Sequence, residues 1–128
     1  MAAKGRMSVK VEKPGGKVVM YLNGRFDGSS ACELENALYR VEGGSKKPRL
    51  VLDFRRVHKF ELFGIALLAK AIRSRRNRFR EISLRGIESS TANMLRHFGL
   101  MGDASVRISP GPEAQNRSAP VSAAVRRP

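Results

Sequence analysis

LVLDFRRVHKFELFGIALLAKAI, residues 50–72, changes its hydrophobic period partway along. Leu50, Val51, Leu52 and Phe54, broken by Asp53, form a short apolar run with the composition of a strand covered on both faces. From Leu62 the pattern becomes helical: Ile65, Leu68, Ala69 and Ile72 fall at i, i+3, i+4 and i+7, which predicts a helix to about Asn77 packed on a sheet. The joint between the two reads HKFELFGIA, residues 58–66, and sets two bulky apolar residues, Leu62 and Phe63, between Glu61 and Gly64 where a helix start is normally polar.

The same alternation of periods extends in both directions. Val9 and Val11, then Val18, Met20 and Leu22, alternate with polar residues across Pro14-Gly15-Gly16, which predicts a hairpin. Ala31, Leu34, Leu38 and Val41 line one face of a first helix, with Ser30 and Glu33 as its capping box and Gly43-Gly44 as its end. After the helix of residues 62–77, Ile82 and Leu84 mark a further strand. Ser89, Ser90 and Thr91 supply caps for a third helix, which carries Met94, Leu95 and Phe98 and stops at Gly99; Val106 and Ile108 suit a last edge strand. Each helix after the hairpin links one strand to the next, so the sheet is largely parallel with right-handed crossovers. The fold class is α/β, a mixed sheet of four to five strands flanked by three to four helices.

The chain's 128 residues, 41% of them hydrophobic, suit one modest core. That core is expected over residues 7–109, preceded by a disordered lead (1–6) and followed by a basic Pro/Ser/Ala tail (110–128) too poor in apolar residues to offset the entropy of ordering it. No apolar run is long enough to span a membrane, and MAAKGRMSVK lacks the stretch of a secretory signal, so the expected compartment is the cytoplasm. Cys32 excludes an internal disulfide and reads as a small buried helix residue. The net charge of +14 draws phosphates, acidic lipids or an acidic protein surface. Its densest stretch is Arg73, Arg75, Arg76, Arg78, Arg80 and Arg85, opposed by Glu81.

Chemistry for catalysis is sparse. His58 and His97 have none of the spacing that metal ligation needs, and no phosphate loop, dinucleotide fingerprint or nucleophile elbow is present. Asp53 and Glu61 both lie around the end of the central strand and could pair for acid-base work, yet no third group completes a site. No enzyme, cofactor or metal is expected.

Five short stretches in order carry a family pattern: Gly24-Arg25-Phe26-Asp27, Leu50-Val51-Leu52-Asp53-Phe54, Glu61-Leu62-Phe63-Gly64-Ile65, Ser83-Leu84-Arg85-Gly86 and His97-Phe98-Gly99-Leu100. Together they resemble a STAS domain, the domain of bacterial anti-sigma-factor antagonists, stressosome proteins and sulfate-transporter tails. The resemblance implies a docking module without catalysis of its own. In many members the loop after the central strand reads D-S-S-G or D-T-S-G, and a partner kinase phosphorylates the hydroxyl beside the glycine. Here Glu61 stands at the aspartate, Leu62 at the first hydroxyl residue, Phe63 at the phosphorylated position and Gly64 at the glycine. Neither Leu62 nor Phe63 can accept a phosphate, and Arg85 stands where some stressosome proteins carry a second phosphorylatable threonine.

Two readings of Leu62 and Phe63 follow. In one they are buried and the helix simply begins deeper in the core. In the other they are a permanent apolar contact on the family's partner-docking surface, with Arg55, Arg56 and Lys59 steering an acidic partner toward Glu61, Leu62, Phe63 and Gly64. Either way the function expected is regulatory protein binding, for instance to an anti-sigma-factor kinase. The family also suggests an accessory subunit on the ATPase of a lipid-transport ABC system. A different class, nucleic-acid binding, would use the arginine run 73–85 with Phe79 as its interleaved aromatic. Ser29, Ser30, Ser89, Ser90 and Thr91 remain as other phosphoacceptors, each also explained as a helix cap.

Overall fold

The structure, a computed structural model, describes residues 7–41, 46–100 and 105–109. The expected lead, tail and Gly43-Gly44 stop lie outside these residues.

Five strands lie side by side in chain order: β1 (Ser8–Glu12), β2 (Lys17–Phe26), β3 (Arg49–Phe60), β4 (Glu81–Arg85) and β5 (Val106–Ile108). The β1–β2 hairpin is antiparallel, and the other three pairings are parallel. Three helices, α1 (Gly28–Val41), α2 (Leu62–Arg75) and α3 (Ser89–Leu95), make the crossovers. This is the mixed α/β sheet that the periodicities predict. Because the strands follow one another without reversal, right-handed crossovers put all three helices on one face.

That geometry sorts the residues. Val18, Met20, Leu22, Leu50, Leu52, Phe54, Ile82 and Leu84 point to the helices and are buried with Leu34, Leu38, Ile65, Leu68, Ile72 and Leu95 in one core. The opposite face carries Val19 and Val51, which are buried yet stand outside that core. The central strand is therefore not covered by helices on both faces, contrary to its composition. Charged side chains of β3, β4 and β5 line its outer face instead: Glu81 meets Arg107 at 2.6 Å and Arg49 at 3.9 Å, while Asp53 meets Arg55 at 2.6 Å and Arg85 at 3.7 Å.

Three local expectations shift. The start of α1 is capped by Asp27 rather than by Ser30 with Glu33. The Ser30 N–H donates to Asp27 Oδ1 at 3.0 Å, and the Asp27 N–H donates back to Ser30 Oγ at 3.1 Å. This is a capping box displaced three residues upstream. Cys32 is exposed, one position off the buried stripe of Ala31, Leu34 and Leu38. The caps expected for α3 fall inside its first turn, Glu88 being the residue before it, and Thr91 is buried. The stop at Gly99 holds: its φ of 116° lies where an L side chain is strained, so the helical path ends there.

Candidate functional site

β3 is more than twice the length the apolar run suggested. Its pairing with β4 ends at Asp53, opposite Arg85, while its pairing with β2 continues to Phe60. Arg55, Arg56 and Lys59 are consequently strand residues, not loop residues. Three phenyl rings explain the extension: Phe26, Phe54 and Phe60 pack with centroids 5.8, 5.5 and 5.5 Å apart and clamp the ends of β2 and β3 together. Hydrophobic periodicity does not mark this trio, although Phe26 and Phe54 lie within two of the family motifs.

The extension also separates Asp53 from Glu61. Eight residues of nearly continuous strand put their Cα atoms roughly 25 Å apart, which excludes the carboxylate pair considered for acid-base work. Each carboxylate has other partners. Burial pushes the Asp53 carboxyl up, and hydrogen bonds from the Arg55 side chain and backbone N–H, with the charges of Arg55 and Arg85, more than offset this and hold it below its ordinary value. Glu61 takes a 2.7 Å ion pair from Arg25 and lends no side-chain cap to α2.

Where β3 outruns β4, a groove of about 800 Å³ opens between the end of β3, the start of α2, and α3. Val57, Phe60, Leu62, Ile65 and Met94 give it apolar walls, and Arg55, His58, Lys59, Glu88 and Ser90 give it polar ones. Beside it stand the two residues in question. Leu62 is 57% exposed and Phe63 67% exposed, which overturns the reading that buries them. One edge of the Phe63 ring rests on Gly28, where an added Cβ would lie 2.8 Å from the ring; the remainder faces solvent. Gly64 has a different task. A Cβ there would stand 2.9 Å from the backbone of Asp27, so glycine lets the first turn of α2 abut the loop that caps α1. The Glu61 N–H donates to the Phe26 carbonyl at 2.9 Å and closes the same corner. Asp27 completes it, with its carboxyl lowered from 3.8 to about 2 by the Ser30 N–H and then by the Ser29 and Ser30 hydroxyls.

Among the other candidate residues, Ser30 is buried and hydrogen-bonded to Asp27 and to the Arg25 carbonyl, whereas Ser29, Ser89 and Ser90 are exposed. His58 and His97 are exposed, and no group of three His, Cys, Asp or Glu able to hold a metal occurs among the described residues. The arginine run does not share one surface. Arg73 donates to the Phe98 carbonyl, Arg75 stacks 3.7 Å over Tyr39, and Arg85 sits on Asp53, about 17 Å along the strand from Arg80. Phe79, the aromatic expected to serve nucleic-acid stacking, is 3% exposed and belongs to the core. No helix among the described residues is long and apolar enough to cross a membrane.

The strand order, the one-sided helices and the Gly64 corner define a two-layer α/β domain of STAS type. The chain belongs to the STAS family: the family model described as "Mlab, STAS domain" matches residues 9–108. Among solved structures, an anti-sigma factor antagonist from Mycobacterium paratuberculosis is similar at 22% identity and a TM-score of 0.59, over 92% of this chain and 97% of that one. An RsbS variant of Moorella thermoacetica is similar at 19% identity and a TM-score of 0.60, over 86% and 92%. The crystal structure of Mglu matches at 24% identity and a TM-score of 0.55 over 62% of this chain, which spans 20% of that larger protein. No curated protein matches by sequence.

Proposed function

We propose that this STAS protein is a non-catalytic regulatory module that docks a partner protein at the α2 end of the sheet, without phosphorylation at the Glu61–Gly64 corner. The observation that carries this reading is the exposure of Leu62 and Phe63 at the start of α2, where Leu62 lines the groove and Phe63 rests on Gly28 of α1. Two large apolar side chains in water cost free energy that a partner recovers on covering them, and aromatic anchors in a desolvated centre contribute most to binding. Arg55, Arg56 and Lys59 beside them, together with the open N–H groups of α2's first turn, favour an acidic partner segment. An anti-sigma-factor kinase fits this role.

A second reading with the same surface, also suggested by the STAS resemblance, is an accessory subunit on the ATPase of a lipid-transport ABC system. Affinity purification from the source cell at moderate salt, with identification of the companion, separates the two. The Phe63→Ser chain then tests the surface: its affinity for that companion falls at least about tenfold, with thermal stability held to within about 0.5 kcal/mol. A stability loss of about 3 kcal/mol instead would make Phe63 a core residue. Incubation with a cognate kinase and ATP leaves residues 59–64 unmodified; phosphate confined to Ser89 or Ser90 would show that the switch has moved along the groove.

A further inference from the structure

The opposite end of the sheet, where the parallel strands begin, holds a second cleft of about 570 Å³. Its walls come from four places: the β1–β2 turn (Lys13, Lys17), the last turn of α1 (Arg40), the segment entering β3 (Lys46, Lys47, Arg49) and the residue before β4 (Arg80). Seven cations thus converge on one concavity; Arg49 also lies 3.9 Å from Glu81 outside it, and no described lining residue is a carboxylate. Main-chain hydrogen bonds stitch the walls together. The Arg49 N–H donates to the Gly16 carbonyl at 3.1 Å, the Arg80 N–H to the Pro48 carbonyl at 2.9 Å, and the Lys17 N–H to the Pro14 carbonyl at 3.2 Å. The cations are therefore mounted on a preformed frame, which lowers the entropy lost when a ligand binds.

We propose that this cleft is a binding site for a small organic anion bearing two or more phosphates. Like charges gathered in a concavity raise the local potential and draw in counter-ions, and the guanidinium forks of Arg49 and Arg80 match phosphate oxygens in pairs. The size lies in the range of small-ligand sites, and Pro14, Val18, Val41 and Pro48 supply an apolar floor for the body of such a compound. A nucleic-acid strand would instead need a track across the surface with stacking aromatics, and the described lining contains none. The ligand's phosphates can belong to a soluble metabolite or to a lipid headgroup.

Calorimetric titration of the full chain with inorganic triphosphate, at fixed ionic strength, tests the site. Saturable binding is expected, weakened at least about tenfold in K46Q/K47Q and less than about twofold in K10Q/K70Q, an equal loss of charge outside the cleft. Sedimentation with phosphatidylcholine vesicles containing cardiolipin, whose headgroup carries two phosphates, assigns the source. Co-sedimentation that K46Q/K47Q abolishes and triphosphate competes away points to a headgroup; triphosphate binding without co-sedimentation points to a soluble compound. Equal weakening in both charge pairs, or no saturable triphosphate binding, overturns the proposal. So does binding to a single-stranded oligonucleotide whose affinity grows with length and ignores K46Q/K47Q.

Discussion

The two ends of this sheet are both basic, yet they manage their charge differently. At the end where the parallel strands finish, three cations are matched, Arg25 with Glu61 and Arg55 and Arg85 with Asp53, while Arg56 and Lys59 are exposed. Beside these pairs the large apolar side chains Leu62, Phe63 and Met94 are exposed. At the end where the strands start, seven cations line a cleft, and the carboxylate of Glu81 is divided between Arg49 and Arg107. Surface electrostatics neutralised locally leaves apolar contact to set affinity, whereas charge left unmatched attracts an anion from outside. Under the two proposals, one end of a single small domain serves a protein and the other a phosphate.

The matched end loses most when its aromatic clamp is cut. Phe54→Ala removes the ring shared by the Phe26 and Phe60 contacts and is expected to destabilise the chain by about 3–5 kcal/mol in chemical denaturation. If the loss were much smaller, the aromatic trio would not be what holds β3 to β2 beyond Asp53. Next is Gly64→Ala. Its methyl would meet the Asp27 backbone, which cannot move without disturbing the cap of α1, so a loss of about 1–3 kcal/mol is expected. Binding of the protein partner should weaken with it as the corner opens, while triphosphate binding at the other end is unchanged.

How far the sequence reached follows the same division. Periodicity located the strands and helices, because a single-sided core imposes alternation on each strand and an i, i+3, i+4, i+7 stripe on the longer helices. The length of β3 was not legible: Arg55 to Lys59 is polar apart from Val57, and what makes it strand is contact of the Phe26 ring with rings 28 and 34 positions away in sequence. The cap of α1 was misplaced because Ser30 and Asp27 are both good caps, and only the backbone decides between them. The exposure of Leu62 and Phe63 was open in the same way, since hydropathy cannot tell a residue that faces the core from one that faces a partner. The basic cleft was invisible because its cations come from four separated segments that the topology brings together.

Asp27 yields a prediction of intermediate size with a defined pH dependence. Replacing it with alanine removes the cap and should lower stability by about 1 kcal/mol at neutral pH. Its carboxyl is depressed in the folded chain, so the stabilisation it provides is present above the ordinary carboxylate range and is lost as pH falls from 3.8 toward about 2. Thermal melts of the parent and Asp27→Ala chains should therefore converge over that interval. A constant gap between them would mean that the hydroxyl contacts of Ser29 and Ser30, rather than the charge, carry the cap.

The smallest effect is also the one that sets the two ends directly against each other. Arg25→Gln deletes a matched ion pair and is expected to lower stability by about 0.2–1 kcal/mol, because Glu61 loses its partner. K46Q/K47Q deletes the same kind of charge from a cluster that repels itself, so at low salt the change should be neutral to stabilising, by no more than about 0.5 kcal/mol. Added salt screens attraction and repulsion alike, and the two variants should approach the parent from opposite sides as the Debye length shrinks to about 8 Å at physiological ionic strength. Saturating triphosphate reverses the second sign: it stabilises the parent by mass action and leaves K46Q/K47Q behind. Melting curves at low and high salt, with and without triphosphate, read all four cases. If K46Q/K47Q lost stability at low salt as Arg25→Gln does, the lysines would already be neutralised within the chain and the contrast between the ends would fail.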